Sequence, residues 1–279
     1  MRKHLAMQTD FTLASGAVGV MHGVAYQVDP NLVIDDITHE IPKFNCYAAS
    51  YNLLYELPYW PWGTVFVSVV DPGVGTSRRA CVAELENGCY IVTPDNGTLT
   101  HALAHIGIRH VRQIDEKRNR YPGTENIHIF HGRDLFAYCG ARLASGKITF
   151  EEVGPEYPVS DIVTIPIPET DLRDGELTGF VEAGNAGFGI IVTSIPATLL
   201  DALGVKLGGT LHVRLGCGSK VCFEGDAAFE SSFGFVAPGA PVLYTAEGNK
   251  LGMGLNQDDL MGRYGIGIGP EWYVKLRKA

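Results

Sequence analysis

Asp71 opens the segment Asp-Pro-Gly-Val-Gly-Thr-Ser-Arg, which spaces a carboxylate and the Arg78 guanidinium seven residues apart around two glycines. Such a loop turns tightly and lets backbone approach a ligand. It is not a P-loop, because no Gly-Lys-Ser/Thr follows, and Gly73 and Gly75 lack the third, helix-opening glycine of a dinucleotide fingerprint. A second polar cluster, Phe130-His131-Gly132-Arg133-Asp134, sets a histidine just before an apolar helical stretch. Alone, Asp71 reads as a turn cap and His131 as a structural histidine. Two such clusters in one chain shift the weight towards a functional site, since a carboxylate and an imidazole suit acid–base chemistry and a guanidinium can stabilise developing negative charge. His101 and His105 have the i, i+4 spacing of a metal pair. No HExxH glutamate or nearby cysteine accompanies them, so helix surface or satisfied core is the reading and no metal site is expected.

The elements that must position these residues alternate. Leu5–Thr9 is a short strand ending at Asp10, Ala17–Val28 has helical length, and Leu32–Ile37 is strand-sized. Cys46–Leu57 is amphipathic in the helical sense. Thr64–Val70 is β-branched and almost wholly apolar, as strands of a sheet covered on both faces are. Arg79–Leu85 and Cys89–Thr93 flank the turn Glu86-Asn87-Gly88 and predict a hairpin. Helices are expected from about Thr98 to Ile106 and from about Asp134 to Ala144. The alternation predicts an α/β domain over 1–158 with a mostly parallel sheet, carboxylates Asp10 and Asp71 standing at strand ends where ligands gather. Pro155, Pro158, Pro166 and Pro168 then interrupt any helix, and 159–171 reads as a linker. From 172 to 279 short β-rich segments separated by glycine turns (Gly179–Glu182, Gly189–Thr193, Thr210–Leu215, Lys220–Phe223, Pro241–Thr245) predict a small all-β, barrel-like domain.

Composition bounds the partners. A net charge of −9 argues against nucleic acid, which demands concentrated Lys and Arg, and is compatible with a cationic substrate. No apolar run approaches the ~20 residues of a membrane helix. The polar Gln8-Thr9-Asp10 leaves no room for a signal-peptide core, so a cytoplasmic location is expected. The six cysteines form no CxxC pair and read as reduced thiols; Cys217 and Cys222 come near each other only if a hairpin joins them.

Four motifs, in order, resemble the S-adenosylmethionine (SAM) hydroxide adenosyltransferases, relatives of the fluorinating and chlorinating enzymes. They are Thr-Asp-Phe at 9–11, Val-Asp-Pro-Gly-Val-Gly-Thr at 70–76, Thr-Pro-Asp-Asn-Gly at 93–97 and Phe-His-Gly-Arg-Asp-Leu-Phe at 130–136. The likeness covers most of the N-terminal half and continues faintly through Phe188-Gly189 and Val192–Ile195. It implies an α/β domain followed by a β-barrel, and a homotrimer with sites where subunits meet. It implies hydrolysis of SAM to adenosine and methionine by attack of water on C5′, with no cofactor. It assigns Asp71, Arg78 and His131 to the water, Asp10 to the ribose hydroxyls, and Asn96, Asn185 and Phe188 to substrate binding. Gly132 stands where the halogenating relatives carry a serine.

The chain departs from that pattern at several positions of the substrate pocket, at the methionine tail and, through Ile190, at an adenine-contacting position. Thr12 replaces a glycine, Ser15 an acidic residue, Asn185 a carboxylate and Ile190 an asparagine, while Thr245-Ala246-Glu247-Gly248 replaces Asn-Ser-x-Gly. Three readings follow: SAM hydrolysis with altered tail contacts, the same water site acting on another 5′-substituted nucleoside or related small molecule, and a non-catalytic nucleoside-binding protein.

Overall fold

A computed structural model describes residues 4–279, which divide into two compact units with the boundary between Ile165 and Pro166. The first unit carries β1 (His4–Thr9), α1 (Ala17–Val28), β2 (Val33–Thr38), α2 (Cys46–Glu56), β3 (Val65–Val69), β4 (Ala80–Leu85), β5 (Tyr90–Pro94), α3 (Thr100–His105), β6 (Ile108–Gln113), α4 (Glu116–Asn119) and α5 (Tyr138–Ala144). Its strands form one sheet in the order β2-β1-β3-β5-β4-β6. The first four run parallel, and β4 is antiparallel to both its neighbours. Every residue of β3 is buried, as a central strand between two covered faces requires. One face packs on α1 and α5 through Met7, Val67, Met21 and Leu135; the other packs on α2 and α3 through Ala6, Phe66, Leu53 and Ala102.

Polar bonding fixes the same arrangement. Gln8, fully buried on β1, donates to the Ala49 carbonyl at 2.9 Å and to Ser68 Oγ at 2.8 Å, and accepts from Asn52 at 2.7 Å. A buried amide with all these partners ties α2 to the two central strands at a fixed height, whereas an unpaired one would cost ~1–3 kcal/mol.

Three differences from the sequence reading stand out. The helix expected from about Asp134 begins at Gly132, and its first turn, Gly132–Ala137, is π-helical before α5 continues it. The sequence reading places no strand at β6, because Arg109, His110 and Arg112 break up its apolar pattern; it is the last strand of the sheet, paired with β4 on one side and bridged on the other by Glu156 opposite Arg112, with Arg109 and His110 exposed. Of the stretch expected as a linker, Val159–Asp161 forms a short 3-10 turn and Asp171 opens a strand of the second unit.

The second unit holds β7 (Asp171–Arg173), β8 (Glu176–Asn185), β9 (Ile190–Pro196), β10 (Thr210–Cys217), β11 (Lys220–Phe229), β12 (Pro241–Thr245), β13 (Lys250–Leu255), α6 (Leu260–Tyr264) and β14 (Gly269–Lys278). The order β14-β10-β11-β12-β13-β9-β8 closes through a β14–β8 pairing into a barrel, with β7 added along β8. All six cysteines are free thiols, Cys217 and Cys222 included although a β10–β11 hairpin does join them. Among the described residues no helix is long and apolar enough to cross a membrane.

Candidate active site

The carboxyl ends of β1, β3 and β5 lie side by side in the sheet and carry Asp10, Asp71 and Asn96 just beyond them. Asn96 faces inward: its amide donates to the Val70 carbonyl at 2.8 Å and its oxygen accepts from Thr98 Oγ1 at 2.8 Å. It therefore braces the backbone immediately before Asp71. Asp10, nearly buried, accepts from the Phe44 amide at 2.8 Å through Oδ2.

The loop after β3 folds Arg78 back onto Asp71. Arg78 Nε lies 3.0 Å from each carboxylate oxygen, and its Nη2 also donates to Oδ2. Charge-assisted contacts of this kind fix orientation as well as adding energy. The same Nη2 reaches His131 Nδ1 at 2.9 Å, and the guanidinium lies 5.2 Å from the Phe136 ring centroid. Glycine is required at position 75, where φ is +76° and a Cβ would meet the His128 carbonyl at 2.8 Å. The sequence motifs 60 residues apart in the chain thus meet in space as a chain of contacts, Asp71–Arg78–His131.

His131 has a further partner that the sequence did not reveal. Arg120 Nη2 stands 3.2 Å from His131 Nε2 and is itself paired with Glu116. Both ring nitrogens therefore face guanidinium groups, which only donate. Burial, then Arg78, then Arg120 push the histidine below its ordinary pKa. No motif signals Arg120, because it belongs to the segment following α4 and its spacing to His131 has no periodic meaning.

Asp71 is the member of this chain that lines a cavity of about 560 Å³, together with Asp10, Ser15, Lys43, Phe44 and Phe130 among others. That volume suits a drug-sized or nucleoside-sized ligand. Phe11 and Phe130 meet edge to face at 6.0 Å, and a Cβ on Gly132 would press on Phe11 at 3.0 Å, so glycine lets this aromatic wall close over the helix start. Cys46, at the start of α2, was not singled out from the sequence. Its Sγ lies 3.8 Å from the Val70 carbonyl, and burial, Asp71 and Asp10 raise its pKa to about 11. The thiol stays protonated, chiefly because it is buried, with the two carboxylates adding to the shift. The carboxylates Asp10 and Asp71 in the cavity wall can attract a cationic group.

In the second unit, Asn185 ends β8 and its side chain accepts from the Phe188 amide at 3.2 Å, shaping the turn into β9. Phe188 is 76% exposed and lines a separate cavity of about 520 Å³ with Ile190, Phe233, Asn256 and Asp259. Glu247 is exposed in the turn between β12 and β13. His101 is buried and bonded to Ser50 through Nδ1 at 2.9 Å, with its ring stacked on His105.

The comparisons with known proteins agree with this architecture. Residues 5–154 match the model of the SAM hydroxide adenosyltransferase N-terminal domain. The chain is 36% identical over 254 residues to a protein of Thermus thermophilus named (R)-S-adenosyl-L-methionine hydrolase, covering 89% of this chain and 90% of that one. It is 26% identical over 238 residues to a fluorinase of Actinopolyspora mzabensis, covering 77% and 78%. The crystal structure of an uncharacterized conserved protein from Thermotoga maritima superposes with a TM-score of 0.82 at 31% identity, covering 98% and 100%.

Proposed function

The chain belongs to the SAM hydroxide adenosyltransferase family, and from that premise we propose that it hydrolyses S-adenosyl-L-methionine to adenosine and methionine at the Asp71 cavity. Water is the nucleophile. Its oxygen bonds to C5′ of the ribose as the C5′–S bond breaks, and the electron pair of that bond stays on sulfur. The leaving group is a neutral thioether departing from a sulfonium cation, so no general acid is needed. The proton lost by water passes to Asp71 and then to solvent, and no cofactor enters the balance.

The protein's task is alignment, which can supply ~7–11 kcal/mol of such a barrier. Asp71 faces the cavity and holds the water. Arg78 fixes the carboxylate and His131 fixes Arg78. Asp10 binds the ribose hydroxyls, with Asn96 bracing the backbone before Asp71. Asn185 is assigned to the methionine end of the substrate, and Phe188 to substrate binding, its exposed ring offering a stacking face for the nucleobase. The observation that carries this reading is the Asp71–Arg78–His131 chain ending on a carboxylate at the cavity. It also disfavours a halide, since Asp71 sets negative charge where one would sit.

The test is to incubate the protein with SAM and follow adenosine and methionine by chromatography. Wild type should release both in equal amounts, Asp71→Asn should be slower by at least ~10²-fold with its fold intact, and Arg78→Lys should also be impaired because lysine lacks the planar fork. Binding of SAM without release would favour a nucleoside-binding protein. Turnover of another 5′-substituted nucleoside alone would transfer the same water chemistry to that substrate.

A further inference from the structure

Three side chains outside the cavity converge from three parts of the first unit. His22 projects from α1, Asp36 from β2, and His39 from the turn just after β2. Their donor atoms all lie within 4.8 Å of one another. His22 Nε2 is 2.8 Å from Asp36 Oδ1, and His39 Nε2 is 3.0 Å from the same oxygen. We propose that His22, Asp36 and His39 form a binding site for a first-row divalent transition-metal ion of the zinc, cobalt or nickel class.

A hydrogen-bonded His–Asp–His cluster is the competing explanation, and it leaves one atom poorly satisfied. The His22 contact has hydrogen-bond geometry. The His39 contact is poorer: its buried Nε2 approaches the same oxygen at ion-pair distance and helps hold the Asp36 carboxyl low, but it is angled so that no well-formed hydrogen bond results. The His39 side chain is only 2% exposed, so water cannot easily satisfy that nitrogen. A bare ring nitrogen aimed at a carboxylate oxygen is repulsive, and an unsatisfied buried N–H is costly. A cation held by both removes the conflict.

The other details match a metal centre. His39 Nδ1 is 2.9 Å from Thr9 Oγ1, the kind of outer contact that fixes the ring orientation of a ligating histidine. Zn–N and Zn–O lengths near 2.0–2.2 Å place neighbouring donors roughly 3–3.5 Å apart around one ion, so small ring movements suffice. Two imidazoles and one carboxylate suit borderline metals rather than calcium or magnesium, which prefer all-oxygen shells. The site would clamp α1 to the end of β2 and, through Thr9, steady the end of β1 beside Asp10. It is separate from the reaction proposed above and does not depend on it.

The experiment uses tag-free, metal-stripped full-length protein titrated with Co2+, followed by visible absorption and by calorimetry. One Co2+ per chain should bind with ligand-field bands distinct from the aquo ion. His22→Gln and Asp36→Asn, both at partly exposed positions, should each weaken binding at least ~10-fold. His212→Gln should leave it unchanged, although His212 stands near Asp226 and Glu224 on the surface. Thermal melting gives a second readout: the metal should raise the wild-type midpoint by several degrees and leave that of His22→Gln unmoved. Binding that is absent, that survives in both variants, or that follows His212 would overturn the proposal.

Discussion

His131 stands between two guanidinium groups, and neither can take a proton from it or accept a hydrogen bond. An imidazolium there would face two cations at contact distance, so the ring stays neutral and offers its lone pair to hold Arg78. That makes Asp71 the proton acceptor and His131 a positioning residue behind it. Burial comes first among the causes that lower the histidine pKa, then Arg78, then Arg120. The folded pKa is therefore below the unfolded one, so the unfolded chain binds more protons between them. The associated stability is fully present above the ordinary value of about 6.5 and is lost as pH falls through the folded pKa. The acid limb of kcat/KM should sit below that ordinary value. Removing the outer cation in Arg120→Gln should move the limb upward, which pH–rate profiles of the two proteins will read; coincident limbs would remove Arg120 from the mechanism. Lys43 supports a second residue-level expectation. It is a cationic side chain lining the Asp71 cavity, and the family resemblance leads one to expect tail-gripping groups where Ser15, Asn185, Ala246 and Glu247 stand. Lys43→Ala should lower kcat/KM for SAM about tenfold and leave a decarboxylated sulfonium analogue unaffected, because one charge-assisted bond is lost. Equal losses on both would mean that Lys43 does not meet the carboxylate.

At the scale of elements, the turn between β1 and α1 is strained at one residue. Thr12 has φ of +58°, a region that β-branched side chains avoid, and it sits where the family resemblance leads one to expect glycine. Its amide donates to the His39 carbonyl at 2.8 Å, so the conformation is held by the neighbouring turn. Thr12→Gly should stabilise the protein by about 0.5–1 kcal/mol, the relief of strain outweighing the entropy that glycine costs. Denaturant unfolding measures it, and a less stable variant would show that the Thr12 Oγ1 contact with the Ala14 amide matters more. The same segment illustrates what sequence can and cannot report. The helix Ala17–Val28, the hairpin about Glu86–Gly88 and the strand ends at Asp10 and Asp71 were legible because period and turn chemistry are local. The π-helical turn at Gly132–Ala137 was not, because an i→i+5 turn leaves no distinct pattern in residue types. Arg120 beside His131, and His22 with Asp36 and His39, were equally silent. Those groupings come from the packing of separate elements, and no spacing along the chain encodes them.

At the scale of the whole molecule, each unit presents apolar side chains that it does not itself cover. The cavity of the first unit is edged by Phe44 and Ile129, 68% and 85% exposed, and that of the second by Phe188 at 76%. Large exposed apolar side chains around a cavity mark an interaction surface, and the first cavity has carboxylates without an aromatic partner for a nucleobase beyond its phenylalanine wall. We propose that neighbouring copies complete the site in a homotrimer, so that Asp71 of one copy acts on substrate held by Phe188 of the next. Light scattering should give three chains per particle, and dilution to monomers should abolish turnover. A mixing experiment tests the shared site directly. Asp71→Asn and Phe188→Ala, each nearly inactive alone, are combined, dissociated and reassembled. If every site draws Asp71 and Phe188 from different copies, random assembly of equal amounts restores about a quarter of the wild-type activity, because that fraction of sites receives both native residues. If each copy used its own pair, mixing would give only the average of the two impaired proteins. A fully active monomer, or mixing without recovery from particles shown to have exchanged subunits, would refute the shared site while leaving the water chemistry at Asp71 untouched.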